Sequence, residues 1–327
     1  MCSSDLKGLV AATPGGPEVL SWEDVETPAP GEGEVAVRHT AIGVNFIDVY
    51  FRSGLYPWPE ATMIPGAEAA GVVEAVGPGV ADFAPGDRVA YVARHGAYRE
   101  RRTIAARHLV KLPDAISDVV AASVMLKGLT AQYLVTSSYP VRAGDTVLVH
   151  AASGGVGLLL GQWLKAIGAT AIGTAGTAQK VELARRHGYD HVINYRERDF
   201  AAAVREITNG KGCAAVYDSV GNDTWRGSLQ SLKRFGMFAN FGQSSGMIQG
   251  FALSDLAAGS LSANRPMLFD YIAERTDLER RCADLFGRLA AGDVRADTIS
   301  CRPLRDAAAA HADLEARRTV GATVLIP

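Results

Sequence analysis

The sequence predicts an α/β protein with two domains, a doubly wound parallel sheet domain and a mainly β domain. Three observations predict this fold class. A chain of 327 residues is too long for one typical core and suits two domains. Roughly the first 125 residues contain short alternating runs bounded by turn residues. From Asp145 onward, short apolar strands alternate with helical stretches.

The mainly β domain is predicted from runs in which apolar and polar residues alternate. The runs "GEVAVRHTAIGV", "AAGVVEAVGPGV" and "GDRVAYVA" are separated by the turn signals "TPAPGEG", "GPGV" and "APGD". This spacing indicates a rolled-up β domain rather than β-α-β units. Near the C-terminus we expect a long helix in "DLERRCADLFGRLAAGDV" and a strand in "GATVLIP", both returning to this domain.

The parallel sheet domain is predicted from the regular alternation of strands and helices. Ser117 or Asp118 is expected to cap the helix that introduces this region. The strands "TVLVHAA", "TAIGTAG", "HVINY" and "AAVYDSV" each precede a helical stretch, and "MFANFG" closes the series. Because the loops are short, the alternation predicts a parallel, doubly wound sheet.

Composition argues against several classes of function. The net charge of −2 disfavours a nucleic-acid partner. No uncharged apolar run approaches the roughly 18 residues of a membrane helix, and the N-terminal sequence has no signal-peptide pattern. The scattered cysteines form no CxxC pair, which favours a reducing, cytoplasmic location and gives no cysteine-based metal site. They are Cys2, Cys213, Cys282 and Cys301.

The stretch "HAASGGVGLLLGQ" concentrates glycines between a predicted strand and a predicted helix. Gly155, Gly157 and Gly161 form GxGxxxG, one residue longer than the Rossmann fingerprint. Such glycines allow a sharp turn and a close approach of the backbone to a pyrophosphate, which lies over the N–H groups of the helix N-terminus. A lone GxG can simply end a strand, so the flanking strand and helix carry the prediction of a dinucleotide site.

The second strand of this region indicates which dinucleotide is bound. NAD-binding proteins place a carboxylate about 20 residues past the glycines, where it accepts from the ribose 2′-OH. Here that place reads "GTAGTAQK", with no carboxylate and with Lys180 instead. An ammonium group attracts a 2′-phosphate, which favours NADPH. The alternative is that Lys180 is an ordinary lysine on a solvated helix.

The whole chain resembles the zinc-free quinone oxidoreductases of the medium-chain dehydrogenase/reductase superfamily, the zeta-crystallin-like group, and especially its bacterial NADPH-dependent members. The motifs that carry the resemblance include "AIGVNFIDVYFRSGLYP", "PGAEAAGVVEAVGPGV", "LKGLTAQYL", "HAASGGVG", "VINYRERDF" and "FGQSSG". It implies a Rossmann-type NADPH-binding domain at residues 127–267 and a GroES-like catalytic domain at 1–126 and 268–327. It also implies a homodimer, for which the apolar strand "FGMFANFGQ" is a candidate edge, although an apolar strand is usually part of the core.

The resemblance also implies that no metal takes part. Zinc members of the superfamily carry a GHE motif, but the matching residues here are Gly66, Ala67 and Glu68, and alanine cannot bind a metal. Glu68 is expected to be a hydrogen-bonding group with a structural role. A quinone that accepts hydride becomes a phenolate-like anion and needs less Lewis-acid help than an alkoxide. Quinones and activated alkenes are therefore favoured over simple alcohols.

The resemblance assigns site residues motif by motif. Asn45, Tyr50 and Tyr56 are the implied catalytic residues, which would hydrogen-bond a substrate carbonyl, with a tyrosine hydroxyl able to donate a proton. The tyrosines could instead be packing residues, and Asp48 could be a structural acceptor. The implied cofactor contacts are Phe46, Ile47, Asp48, Lys127, Thr130, Tyr133, Gly155, Val156, Gly157, Gly176, Thr177, Lys180, Tyr195, Ser219, Phe241, Gly242, Ser244, Pro266, Met267, Leu268 and Arg317.

Three functions therefore stay open at this point. The first is NADPH-dependent reduction of a small-molecule quinone, by hydride or by single-electron transfer. The second is NADPH-dependent reduction of activated alkenes such as enones or enoyl thioesters. The third is an NADPH-binding protein with little catalysis.

Overall fold

The computed structural model describes residues 6–327, so Cys2 lies outside the described residues. Within that range the strands are β1 (Lys7–Val10), β2 (Ser21–Asp24), β3 (Glu34–Gly43), β4 (Glu68–Val76), β5 (Arg88–Val92), β6 (Arg101–Ala105), β7 (Leu109–Lys111), β8 (Thr146–Val149), β9 (Thr170–Ala175), β10 (His191–Asn194), β11 (Cys213–Asp218), β12 (Leu232–Asn240), β13 (Ser262–Asn264), β14 (Ile299–Pro303) and β15 (Ala322–Ile326). The α-helices are α1 (Phe46–Arg52), α2 (Asp118–Tyr133), α3 (Gly155–Ile167), α4 (Ala178–Arg186), α5 (Phe200–Ile207), α6 (Trp225–Gln230), α7 (Leu268–Tyr271), α8 (Arg275–Ala291) and α9 (Ala307–Glu315).

The chain divides into two compact units. The first contains the described chain up to Leu126 together with Ile272–Phe286 and Ala296–Pro327, and the second contains Lys127–Tyr271 and Gly287–Arg295. Residues 268–271 and 287–295, which the sequence assigns to the mainly β domain, thus belong to the second unit. Two contacts within that unit account for this: the ring of Tyr271 stacks on Tyr133 at 4.3 Å, and the Arg295 main chain bonds the Gln162 side chain.

The first unit is built on a seven-stranded sheet, which confirms the predicted mainly β domain. Its strand order is β14-β15-β3-β4-β5-β7, and β6 also pairs with β3. The pairs are antiparallel except for β14 and β15. The predicted C-terminal strand is β15, which pairs with the end of β3. Apolar side chains such as Val35, Val37 and Ile42 are fully buried in its core.

The second unit contains a six-stranded parallel sheet, which confirms the doubly wound Rossmann-type fold. The strand order is β10-β9-β8-β11-β12-β13, and every neighbouring pair is parallel. The chain runs outward from β8 to β10 and then returns to β11, on the other side of β8. The order therefore reverses between β8 and β11, and ligands of open α/β sheets bind at the carboxyl ends of the strands at such a point.

One strand of this sheet was not predicted. The series was expected to end with β12, but β13 pairs with Met237–Ala239 of that strand. The sequence of β13, "SAN", has no apolar run, so periodicity gave no signal for it. Consequently, the strand "FGMFANFGQ" lies inside the sheet at Met237–Ala239 rather than at its edge.

The helix that enters the second unit is long and apolar. Asp118–Ser138, which is α2 and a π-helical extension, spans 21 residues with a mean hydropathy of 1.3, and by length and composition alone it could cross a membrane. It carries Asp118 and Lys127, which is why the sequence shows no uncharged run of that length. Its most apolar window is 78% buried inside the structure, which is the setting of a core helix. Ser117 caps it, because the Ser117 hydroxyl accepts from the N–H of Val120.

Candidate cofactor and substrate residues

The glycine turn, residues 151–157, joins the carboxyl end of β8 to the start of α3. Ala151 adopts a left-handed backbone, with φ of 53°, and Gly154 is the N-cap residue of α3 without a side-chain cap. A Cβ on Gly157 would collide with the carbonyl oxygen of Ala151 and would lie 2.8 Å from the main chain of Ala152. The turn therefore presents bare main chain at a helix N-terminus, which suits a phosphate group.

A buried tyrosine explains the other glycines near this turn. The Tyr189 hydroxyl donates to the carbonyl oxygen of Gly157 at 2.7 Å. A Cβ on Gly161 would collide with the Tyr189 ring and lie 2.5 Å from the His187 carbonyl oxygen, and a Cβ on Gly173 would lie 2.9 Å from the ring. Sequence reasoning missed Tyr189, because its contacts come from a different helix and strand. The last glycine of the motif thus makes room for this ring rather than for a ligand.

A buried polar network lies directly below the glycine turn. His150 follows β8, with Nε2 3.0 Å from the Ser228 hydroxyl and Nδ1 3.0 Å from the Thr174 hydroxyl. Ser228 donates to Asp218 at the end of β11, so its oxygen accepts from His150 Nε2–H and the Thr174 hydroxyl donates to Nδ1. Burial lowers the pKa of His150 more than the Asp218 carboxylate raises it. A neutral histidine therefore links the ends of β8, β9 and β11.

The predicted 2′-phosphate residues lie at the carboxyl ends of the neighbouring strands β9 and β10. The Thr177 side chain caps α4 by accepting from the N–H of Lys180 at 3.3 Å. Gly176 follows β9 and lies against Tyr195, which follows β10, and a Cβ on Gly176 would lie 2.5 Å from the Tyr195 hydroxyl. Tyr195 is 40% exposed, so its hydroxyl is not a core group. The structure brings these residues to one sheet edge.

Four further predicted cofactor contacts follow β11 and β12 at the same edge. A Cβ on Gly242 would lie 2.7 Å from the carbonyl oxygen of Ser219, and the Ser244 N–H donates to that oxygen at 3.1 Å. The Phe241 N–H donates to the carbonyl oxygen of Asp218. The two loops after β11 and β12 are therefore packed main chain against main chain. Gly155 and Val156 lie in the first turn of α3, which follows β8.

The remaining predicted residues of the second unit lie on α2 and after β13. Lys127, Thr130 and Tyr133 recur every three residues and are almost completely buried. The Tyr133 ring stacks on Tyr271 with an angle of 4° between their planes, and burial raises the pKa of Tyr133. The residues after β13 lead into α7, with Pro266 and Leu268 buried and Met267 half-buried.

In the first unit, the Asn45 segment, residues 45–56, contains the predicted substrate residues. Asn45 is the N-cap residue of α1, and the side chain of Asp48 accepts from its N–H at 2.8 Å. Tyr50 packs against Phe46 at 6.1 Å and edge-on against Tyr56 at 5.4 Å. Tyr50 is buried and Tyr56 half-buried, while Phe46 and Ile47 are half-buried in the first turn. The structure therefore brings the rings of Tyr50 and Tyr56 together, on the C-terminal side of the N-cap Asn45.

The Asn45 amide is held by a carboxylate that water does not reach. Glu68 has no exposed surface. Its Oε1 accepts from Asn45 Nδ2 at 2.8 Å and its Oε2 from the Leu126 N–H at 2.6 Å. A Cβ on Gly43 would collide with this carboxylate. Glu68 thus fixes the side chain of Asn45, as a structural role requires.

Whether a zinc ion could bind beside the Glu68 carboxylate depends on the ligands that the neighbouring residues offer. The residue before Glu68 is Ala67, which has no donor atom. Across residues 6–327, no three His, Cys, Asp or Glu side chains lie close enough to hold a metal ion. Four-coordinate zinc needs three or more nitrogen, sulfur or oxygen ligands, so this donor set does not fit zinc.

Asp48 belongs to a second buried network that the sequence did not reveal. Its Oδ2 accepts from the Tyr98 hydroxyl at 3.0 Å, and the same hydroxyl lies 2.9 Å from His311 Nε2. Arg52 Nη1 lies 3.3 Å from His311 Nδ1, and the guanidinium makes two bonds to Glu315. Burial, with a smaller effect of Arg52, lowers the pKa of His311 to about 3. Asp48 is therefore a structural acceptor in this unit.

Arg317, the remaining predicted cofactor contact, follows α9 in the first unit. It is exposed and has a left-handed backbone, with φ of 57°. The neighbouring Arg318 is paired with Asp313 at 2.7 Å. Arg318 is therefore held on α9 by Asp313.

Comparison with known proteins gives matches along nearly the whole chain. The model described as "Alcohol dehydrogenase GroES-like domain" matches residues 31–138, and "Zinc-binding dehydrogenase" matches residues 155–283. A quinone oxidoreductase of Pseudomonas aeruginosa is 48% identical over 98% of this chain and 99% of that protein. A 2-haloacrylate reductase of Burkholderia sp is 45% identical over 96% of both.

Solved structures agree with these sequence matches. The crystal structure of an Escherichia coli quinone oxidoreductase complexed with NADPH has a TM-score of 0.95 and 44% identity. The match covers 98% of this chain and 100% of that one.

Proposed function

The chain belongs to the medium-chain dehydrogenase/reductase family, and on that premise we propose that it is an NADPH-dependent reductase of quinones that uses no metal ion. The observation that carries the proposal is the glycine turn, where main chain alone faces the place of a phosphate. A full-length relative named quinone oxidoreductase supports the acceptor class. A similar quinone oxidoreductase structure contains NADPH, which supports the cofactor.

The residues present fit NADPH at the carboxyl edge of the parallel sheet. The turn at Gly155–Gly157 would hold the pyrophosphate through its N–H groups at the start of α3, and the lack of a side chain at Gly157 lets the helix start pack against the main chain of Ala151 and Ala152. Lys180 and the Tyr195 hydroxyl would bind the 2′-phosphate. The neutral His150 keeps the strand ends in place below the turn. NADPH, when bound, supplies the reducing hydride.

On the acceptor side, side chains of the Asn45 segment would position a carbonyl oxygen. Asn45 is held rigidly by Glu68, and its amide nitrogen carries a second hydrogen that can donate to an acceptor oxygen. Tyr56, packed on Tyr50 and Phe51, offers a hydroxyl as a proton donor. These groups act mainly by orientation and by stabilising developing negative charge.

The metal-free part of the proposal rests on the donor set around Glu68. Both carboxylate oxygens already accept from buried N–H groups, and Ala67 supplies none. Dialysis against EDTA should leave the rate of quinone reduction unchanged, with zinc having no effect on the dialysed protein. Lost activity that zinc restores would contradict the metal-free mechanism.

Reduction of activated alkenes is the second candidate, because a relative at 45% identity is named 2-haloacrylate reductase. Steady-state rates on 1,4-benzoquinone, 9,10-phenanthrenequinone, an enone and an enoyl thioester would separate the two. The panel is run with NADPH and NADH in parallel. Quinones should have the highest kcat/KM with NADPH. Rates at background for every acceptor, with tight NADPH binding, would favour the third function, a cofactor-binding protein with little catalysis.

The proposal extends to a homodimeric, cytoplasmic enzyme. The second unit carries several exposed apolar side chains that a partner copy could cover, namely Phe235, Met247, Phe251 and Leu253. Light scattering during gel filtration should give twice the chain mass of 34.5 kDa. A single-chain mass at micromolar concentration would contradict the dimer.

A further inference from the structure

Two guanidinium groups of the first unit converge on one glycine. Arg99 Nε donates to the carbonyl oxygen of Gly96 at 3.1 Å. The Arg102 guanidinium atoms lie 3.0–3.2 Å from the position of a Cβ on Gly96. Gly96 also has φ of 96°, which other residues rarely adopt. We call Arg99 and Arg102 the arginine pair.

The arginine pair has no carboxylate partner. Among residues 6–327, neither guanidinium forms an ion pair with an Asp or Glu, whereas the adjacent Arg101 pairs with Glu74 at 3.0 Å. Arg102 Nη1 is buried and has no hydrogen-bond acceptor. Burial, followed by the charge of Arg102, lowers the pKa of Arg99 to about 10. Like charges held together at a half-buried site cost stability unless an anion joins them.

The surroundings of the arginine pair do not supply that anion. The Arg102 guanidinium lies over the Tyr91 ring at 5.4 Å. Burial, followed by the charge of Arg102, lowers the pKa of the neighbouring His95, and burial lowers that of His39 to about 3. Both histidines are therefore neutral at pH 7. Glu60 affects His95 and Arg99 only through electrostatic attraction over a longer distance, which raises their pKa values.

Hydrogen bonds place the loop that carries Gly96 against the chain leading to Glu68. The N–H groups of Gly96 and Ala97 donate to the carbonyl oxygens of Pro65 and Gly66. Glu68, two residues beyond Gly66, holds the side chain of Asn45.

An aromatic contact joins the same loop to the Asn45 segment. The His95 ring packs edge-on against Phe51 at 5.9 Å, and Phe51 packs edge-on against Tyr56 at 5.5 Å. The arginine pair is thus attached, on two sides, to the residues that the proposed function assigns to the acceptor.

We propose that Arg99 and Arg102 form an anion subsite for the acceptor, so that the preferred substrate is a quinone or activated alkene bearing a carboxylate. Planar guanidinium groups match the geometry of a carboxylate and bind it through paired N–H donors. The inference rests on the proposed function, because it names the substrate class of that site. A free inorganic anion would bind the same two guanidinium groups. The experiments below separate such an anion from a carboxylate carried by the acceptor.

The kinetic test uses a matched acid and ester. The NADPH-dependent rates on 4-oxo-4-phenylbut-2-enoate and its methyl ester are measured for the wild type, Arg102→Gln, Arg99→Gln and the control Arg101→Gln. The wild type and the control should prefer the acid at least tenfold in kcat/KM. Both test variants should lose that preference, mainly through a higher KM. Equal acid-to-ester ratios in all four proteins would overturn the proposal.

A binding test keeps this inference separate from the proposed function. Calorimetry with the unreactive acid 4-oxo-4-phenylbutanoate and its methyl ester needs no turnover. The acid should bind at least tenfold more tightly to the wild type and to Arg101→Gln, and this difference should vanish in Arg102→Gln. If no acceptor is reduced but this pattern holds, the proposed function fails and the anion subsite stands.

The remaining arm uses sodium sulfate as the competing anion. Sulfate should weaken binding of the acid only at concentrations far above that of the acid. If sulfate binds as tightly as the acid and the acid has no advantage over its ester, the arginine pair holds a free anion. That result would overturn the assignment to the acceptor. Circular dichroism of each variant checks that it retains its fold.

Discussion

The glycine turn and the Asn45 segment are built in opposite ways. In the turn, main chain packs directly on main chain, and Gly157 lies so close to Ala151 and Ala152 that no methyl group fits. In the Asn45 segment, two polar side chains are fixed by other buried side chains, because Glu68 holds Asn45 and Tyr98 holds Asp48. A single substitution in the turn should therefore lower NADPH affinity strongly. A substitution in the segment should lower stability by an amount that depends on the hydrogen bonds lost.

The largest effect is expected from Gly157→Ala. Its new methyl group would collide with the Ala151 carbonyl oxygen and press on Ala152, displacing the turn. We expect NADPH affinity to fall about 100-fold, or about 2.7 kcal/mol, in a fluorescence titration. Gly287→Ala on α8 is the control, since nothing lies within 4 Å of its Cβ position. Wild-type affinity in Gly157→Ala would show that the turn does not bind the pyrophosphate.

A smaller effect is expected from Glu68→Gln in the first unit. The amide NH₂ cannot accept, so either Asn45 or the Leu126 N–H loses its buried acceptor. The free energy of unfolding should fall by about 2 kcal/mol, measured by urea denaturation. Glu74→Gln is the control, because Glu74 pairs with Arg38 and Arg101 at a half-exposed position, and it should cost less than about 1 kcal/mol. Equal losses would contradict the structural role of Glu68.

Lys180→Met tests the side-chain part of the cofactor site. Removing the ammonium should raise the KM for NADPH about tenfold, or about 1.4 kcal/mol, and leave the KM for NADH nearly unchanged. Lys165→Met, on the exposed end of α3, is the control and should change neither. Equal effects on both cofactors would show that Lys180 does not read the 2′-phosphate.

His311 gives the Asn45 segment's network a pH dependence. Its pKa is about 3 when folded, against 6.5 when unfolded, so below pH 6.5 only the unfolded chain takes up this proton. The free energy of unfolding should therefore fall with pH between 6.5 and 3, by about 1.4 kcal/mol per pH unit for this residue.

The variant His311→Gln should lack the contribution of this one proton, so the free energy of unfolding should change less with pH, by about 1.4 kcal/mol per pH unit. Urea denaturation at pH 5 and pH 7 measures this difference. The exposed His191, replaced by Gln, is the control and should leave the slope nearly unchanged. A slope that is the same in His311→Gln and the wild type would show that His311 titrates normally in the folded protein.

The same contrast explains what the sequence could predict. Strand–helix alternation and glycine spacing are local patterns, so the parallel sheet and the glycine turn were predicted from short stretches. The networks of the Asn45 segment join residues far apart in the chain, such as Asp48 with Tyr98 and Tyr98 with His311. No periodicity links such positions, and the resemblance alone indicated that Asn45 and Tyr56 belong together.

The strand β13 and the arginine pair could not be predicted from short stretches of the sequence, and the reasons differ. The strand β13 is three residues of small polar sequence and exists because β12 offers an open edge. The arginine pair lies in "RERR", which reads as an ordinary charged surface. Only the fold shows that Arg101 has a partner in Glu74 while Arg99 and Arg102 meet at Gly96.

The ring of Tyr189 has a consequence for evolution. Because Gly161 and Gly173 each lack a side chain where this ring lies, the three positions are expected to covary among related proteins. A homologue with alanine at position 161 should carry a smaller residue in place of the tyrosine and a displaced His187 carbonyl, and one with alanine at position 173 should also carry glycine in place of Ala152. The glycine turn of either homologue would then also lose the tyrosine hydroxyl that bonds the Gly157 carbonyl oxygen. In the evolution of such a homologue, we expect the tyrosine to have been replaced before the glycine.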